Sequence, residues 1–162
     1  MLTPATVCLA VPLYEQLELL KKNKVAVVCG ILSGTLASLT GIFVLCMLFG
    51  FNHQQYVTML PKSITTAIGI GISEELGGIV TITVAVIIIT GILGNVIADT
   101  VFHIFKIKNP LAKGLALGTA SHAIGTARAI EMGPVEGAMS SLAVAVAGLL
   151  TVVFVSGFAQ LI

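Results

Sequence analysis

The densest set of side chains able to do chemistry is Gly118-Thr119-Ala120-Ser121-His122-Ala123-Ile124-Gly125-Thr126-Ala127-Arg128, continued by Glu131, Gly133-Pro134 and Glu136-Gly137. A guanidinium such as Arg128 can grip a carboxylate through two parallel hydrogen bonds, and the hydroxyls of Thr119, Ser121 or Thr126 can add to the grip. Gly118 and Gly125 would let backbone come close to such a ligand. The chemistry offered is capture of a small anion. His122 titrates nearest to neutral pH and is the natural proton carrier if movement of the anion is proton-linked; a buried helix–helix hydrogen bond is its competing role. Glu131 and Glu136 are the carboxylates at hand for proton coupling or ion pairing. Arg128 and Glu131 share a face if the segment is helical, so a local ion pair competes with ligand binding.

A second polar set is Lys62-Ser63-Ile64-Thr65-Thr66, followed by Ser73-Glu74-Glu75-Leu76-Gly77-Gly78. Hydroxyls at Ser63, Thr65 and Thr66 can pair with freed backbone carbonyls or with a ligand's oxygens, and Gly77 and Gly78 permit a sharp reversal. Glu74 and Glu75 read as solvated charges at the headgroup level, and His53, within Asn52-His53-Gln54-Gln55, as a loop residue. Asp99 and His103 make a weak metal site and a better interfacial pair, so no metal and no cofactor are expected. With no Ser-His-Asp set, paired acid and base, or phosphate loop, an enzyme is not expected either.

Composition dictates what must hold these residues. Of 162 residues, 57% are apolar and only 9% charged, with a mean hydropathy of +1.10. A soluble domain covers itself with about 25% charged residues, so this chain's surroundings are a lipid bilayer. A formal charge of +1 offers no field for nucleic acid. Cys8, Cys29 and Cys46 are odd in number, lack CxxC spacing and lie in apolar runs, which suits small buried side chains. The start, Met1-Leu2-Thr3-Pro4, lacks the charge and cleavage pattern of a signal peptide.

Residues 25–50, 76–98 and 137–162 contain no Asp, Glu, Lys or Arg, and each exceeds the roughly 20 helical residues that cross a bilayer. Small residues such as Gly30, Gly34 and Gly41 give these helices faces for close packing, including against a second copy. Between the spans lie shorter apolar stretches, residues 3–14, 61–73 and 110–126. Setting Pro4, Pro61 and Pro110 in register aligns Ala10, Ala67 and Ala116, and then Pro12, Gly69 and Gly118. The expectation is an interrupted or re-entrant short helix followed by a span, repeated three times in one all-helical membrane domain over residues 1–162. Interrupted helices at membrane depth point to a transporter's solute site. Lys21, Lys22 and Lys24 ahead of the first span, with Lys106, Lys108 and Lys113 after the second, place the start of the first and the end of the second toward the cytoplasm, although Lys62 then falls on the other side. Residues 15–22 suit a short interfacial helix.

The runs LPKSITTAIGIGISEELGG, ITGILGNVI, GLALGTASHAIGTARAIEMG and VEGAMSSLAVAVAGLL closely resemble the LrgB family, also called CidB-type proteins. LTPATVCLAVPLYEQ resembles the same family's central motif, and the chain looks like a family member without its N-terminal hydrophobic helices. The resemblance carries over to Ser63, Thr65, Thr66, Gly77, Gly78, Ser121, His122, Gly125, Thr126, Arg128, Glu136 and Gly137. Ala67 departs from it, standing where the family usually has Pro. The resemblance implies a multi-pass protein of the cytoplasmic membrane. Its function would be transport of a small carboxylate such as pyruvate or glycolate, as in the related plastid glycolate/glycerate translocator. Alternatively it implies antiholin-like control of murein hydrolases and lysis with an LrgA/CidA holin-like partner.

Overall fold

The computed structural model describes Tyr14 and residues 16–162. Cys8 and, apart from Tyr14, the expected short helix at residues 3–14 lie outside the described residues. The described residues form helices and no strands: α1 Leu17–Lys22, α2 Lys24–Leu48, α3 His53–Met59, α4 Thr66–Glu75, α5 Val80–Ile104, α6 Pro110–Met132 and α7 Pro134–Ala159. Helices α2, α5 and α7 are 25, 25 and 26 residues long and contain 18-residue stretches with mean hydropathies of 2.1, 2.4 and 2.4, enough to cross a membrane. Their outer faces stay apolar and uncovered, as at Leu48, Val96 and Val153, each more than two-thirds exposed. In lipid such faces need no cover. The protein is a multi-pass membrane protein.

The second span starts and ends later than composition suggests. Gly77 takes the left-handed conformation at φ +75, and a Cβ on Gly78 would lie 2.6 Å from Ser73 Oγ and 3.2 Å from Thr58 Cα. Residues 76–79 are therefore a turn, and α5 runs on past Ala98 to include Asp99 and His103.

Helices α3 and α4 enter and return beside the ends of the spans. Asn52 opens α3 through a reciprocal pair with Gln55, each hydrogen bond 2.9 Å long. His53, expected in a loop, is the first residue of α3, and its Nδ1 donates to Ile162 O at 2.6 Å. Tyr56 donates to Phe158 O at 2.9 Å, which ties α3 to the end of α7. Thr58 O accepts from Thr83 Oγ1 and Thr58 Oγ1 from Ile79 N, both at 2.9 Å, joining α3 to the start of α5. Between α3 and α4 the chain bends over residues 60–65, and Ser63 there reaches Ser38, well inside α2.

Helix α6 doubles back on itself. Asn109 caps it at Leu111 N (2.9 Å), and Pro110 occupies its first turn, where a missing N–H costs nothing. On the first arm, residues 110–121, Gly114 rests on the Glu136 carbonyl and Gly118 on the Ser140 carbonyl of α7. On the second arm, residues 123–132, Thr126 bonds Ser140 and Ile130 meets Gly137. The first arm climbs α7 and the second descends it, so the chain must reverse between them. His122 is that reversal, with φ 44 and ψ −135.

The interruptions expected at Gly69 and Gly118 are not there. Both glycines lie within continuous helix: Gly69 faces Ile87 and Pro61, and Gly118 faces Ser140 and Ala143. They serve close approach, which in lipid is the main source of helix–helix attraction. Pro61 lies in the bend whereas Pro110 opens a helix, so the proline register does not align equivalent positions.

Candidate functional site

An open groove of ≈ 840 Å³ runs between α2 and the first arm of α6 and meets the 60–65 bend. Gly30, Gly34 and Ser38 come from α2, Lys62 and Ser63 from the bend, and Thr119 from α6. Glycine is required where α2 meets α6, because a Cβ on Gly34 would lie 2.8 Å from Thr119 Oγ1. A cavity of ≈ 10 Å³, about the room for one water, adjoins Ser38, Ser63, Thr119 and Thr151.

The polar groups of the groove are ordered. Ser38 Oγ donates to Ser63 Oγ at 3.0 Å, and Lys62 Nζ donates to Ser63 Oγ at 2.8 Å and to Ser38 Oγ at 3.5 Å. Thr119 Oγ1 donates to Leu115 O at 2.8 Å, so it shows lone pairs to the cavity, suited to a water or a solute hydroxyl. Both ion pairs among the described residues belong to Arg128, so Lys62 is left without a carboxylate there.

Two residues beyond Ala120, which lines the groove, the chain reverses at His122, 3% exposed and with its ring against α5. Its Nε2 lies 2.9 Å from Ile87 O, and a carbonyl only accepts, so the neutral ring carries its proton on Nε2 and keeps Nδ1 as an acceptor. Side chains tie down the start of the second arm: His122 O accepts from Thr126 Oγ1 at 2.9 Å and Ile124 O from Asn95 Nδ2 at 3.2 Å. α5 makes room with glycine, since a Cβ on Gly91 would lie 2.8 Å from the imidazole Cε1 and one on Gly94 would strike Ser121.

The model of the LrgB-like family matches residues 1–161. This chain belongs to the LrgB-like family. It is similar to the antiholin-like protein LrgB of Bacillus subtilis (strain 168), 41% identical over 161 residues, which are 99% of this chain and 70% of that protein. The antiholin-like proteins LrgB of Bacillus cereus (strain B4264) and Bacillus anthracis (strain CDC 684 / NRRL 3495) are each 42% identical over 157 residues, 97% of this chain and 68% of theirs. No solved structure matches.

In this LrgB-like chain the expected charge partner, Arg128, stands outside the groove. It pairs with Asp99 on α5 and, at 2.8 Å, with Glu131 one turn along α6. Two carboxylates neutralise it, and its side chain is one-third exposed. Glu136 is buried in the first turn of α7, where free N–H groups favour a carboxylate. Thr65 and Thr66 open α4, and Gly77 and Gly78 form the turn after it; none of the four lines the groove. Gly125 is used for contact between the arms, a Cβ there lying 2.6 Å from Ser121 Cβ and 2.8 Å from Leu117 O.

The fold thus gathers Ser63 and Thr119 in the groove, whereas Ser121, at the end of the first arm, packs against Gly94 and the His122 ring against Gly91 of α5, and neither lines it. Lys62 and Ser38 were missed as site residues in the LrgB-like sequence. The available signal was a lysine with no carboxylate within a helical turn on either side, standing between a proline and a serine in an apolar chain.

Proposed function

We propose that this LrgB-like protein moves small monocarboxylates, pyruvate, glycolate or a similar solute, across the cytoplasmic membrane, with the groove between α2 and α6 as the resting place of the solute. The observation that carries this reading is the meeting of hydroxyls from the 60–65 bend and the first arm of α6 inside a molecule whose outer faces are apolar. Backbone that leaves a helix at membrane depth costs several kcal/mol unless it is buried or wetted, and carriers place solutes at such interruptions. In this reading the two reversals approach the middle of the bilayer from opposite sides, and the hydroxyls of Ser63 and Thr119 add to the hold on the solute. His122 exchanges the coupled proton through Nδ1.

The test is uptake of labelled pyruvate and glycolate by proteoliposomes carrying the full chain. Uptake well above protein-free vesicles, falling about tenfold or more in His122→Ala, is expected if a general acid–base group has been removed. No uptake by the unmodified protein would end the reading.

A second reading, an antiholin-like regulator acting on lysis with an LrgA/CidA holin-like partner, is favoured by the names of the relatives and by one feature of α2. A Cβ on Gly41 meets nothing within 4 Å, so small-residue surface is left open there, whereas Gly30 and Gly34 are occupied by Leu115 and Thr119. Gly41→Phe then weakens co-purification with such a partner and leaves uptake intact; the carrier reading alone predicts no change in either.

A further inference from the structure

We propose that Lys62 is the charge partner of the transported anion, its ammonium and the Ser63 hydroxyl gripping one carboxylate, and that this single cation restricts the site to solutes of one negative charge. The proposal rests on the carrier reading above.

The donor count leads to it. Ser63 Oγ receives hydrogen bonds from both Lys62 and Ser38, so its lone pairs are taken and its own O–H is left to donate. The ammonium has three N–H donors, and the two serine oxygens engage at most two of them. Two unspent donors, one of them charged, therefore stand on atoms 2.8 Å apart at the edge of the groove. A carboxylate, with two oxygens on one carbon, is the acceptor that suits such a pair.

The charge count agrees. Lys21, Lys22, Lys24, Lys106 and Lys108 are exposed, Lys113 lies over the Phe102 ring at 5.8 Å, and Arg128 is paired twice. Lys62 is half-buried and has no acid partner among the described residues. A cation in apolar surroundings is costly until an anion or water neutralises it. The rest of the groove is lined by Gly, Ala, Leu, Ser, Thr and Asn, so a second carboxylate on the same solute would meet no second cation. Thr119, which presents lone pairs, can take the hydroxyl of a 2-hydroxy acid.

Proteoliposomes carrying the full chain test this with labelled pyruvate, comparing the unmodified protein with Lys62→Gln and Lys62→Arg, each checked for monodispersity. Lys62→Gln is expected to raise KM about tenfold or more, the loss of one charge-assisted hydrogen bond, while Lys62→Arg stays within about threefold. On the unmodified protein, unlabelled succinate should compete about tenfold less well than glycolate. An unchanged KM in monodisperse Lys62→Gln, or succinate competing as well as glycolate, overturns the proposal and leaves the carrier reading standing. Should Lys62→Gln fail to fold, the succinate competition decides. Absence of uptake by the unmodified protein removes both.

Discussion

Thr126 and Ser140 share a hydrogen bond of 2.8 Å between their hydroxyls, while the Ser140 carbonyl lies beneath Gly118 on the opposite arm of α6. One residue of α7 thus holds both arms at the same height, which is what places His122 between them.

Gly118→Leu should loosen this hairpin. The first added carbon would fall 2.5 Å from the Ser140 carbonyl, a backbone atom that cannot swing aside. Overpacking of this kind costs about 1–3 kcal/mol, read as a lower thermal unfolding temperature in detergent. Gly157→Leu is the control, since nothing lies within 4 Å of its added carbon.

Thr126→Val should destabilise by about 1–3 kcal/mol, because it strips partners from two buried groups. Thr126 donates to His122 O, so Ser140 is the donor in their shared bond, and both lose their match. Ser140→Ala in the Thr126→Val background should cost less than it does alone, a non-additivity that a double-mutant cycle measures.

Gly91→Leu, within the α5 span, should act on the reversal packed against it. Its added carbon would press on the His122 ring, 2.8 Å from Cε1, and push Nε2 off Ile87 O. Pyruvate uptake is expected to fall strongly while helix content by circular dichroism holds. Normal uptake would show that the ring's position does not matter.

Arg128→Gln should leave the KM for pyruvate unaltered, because the guanidinium is spent on Asp99 and Glu131 outside the groove. The stability effect should be small and should shrink with salt, as for exposed ion pairs generally. Exchanging the charges, Arg128→Asp with Asp99→Arg, should recover what either single change loses. A raised KM in Arg128→Gln would bring the guanidinium back to the solute.

Three spans, a lipid environment and a short helix ahead of the first span were legible in the chain itself. Each depends on local composition: about 20 uncharged residues suffice for a span whatever it packs against. The return of the chain after Pro110 was legible as well, but its position was not. Gly118 carried the obvious helix-breaking signal, yet the reversal falls at His122, a residue with no intrinsic preference for it. What decides it is Gly91 and Gly94 on α5, Asn95 on Ile124 O and Ser140 on α7.

Charge shows the same division. That Lys62 and Arg128 stand in an apolar chain is plain from the residues alone, and so is the conflict between Lys62 and the orientation set by the other lysines. Which of the two cations stays unpaired is a tertiary matter. Asp99 lies 29 residues from Arg128 and Ser38 lies 25 from Ser63, and such distances close only when spans pack. Composition selects a membrane because transfer of apolar surface is a sum over residues, independent of their arrangement. A binding site depends on which polar groups remain without partners, and that remainder exists only after every helix has taken its place.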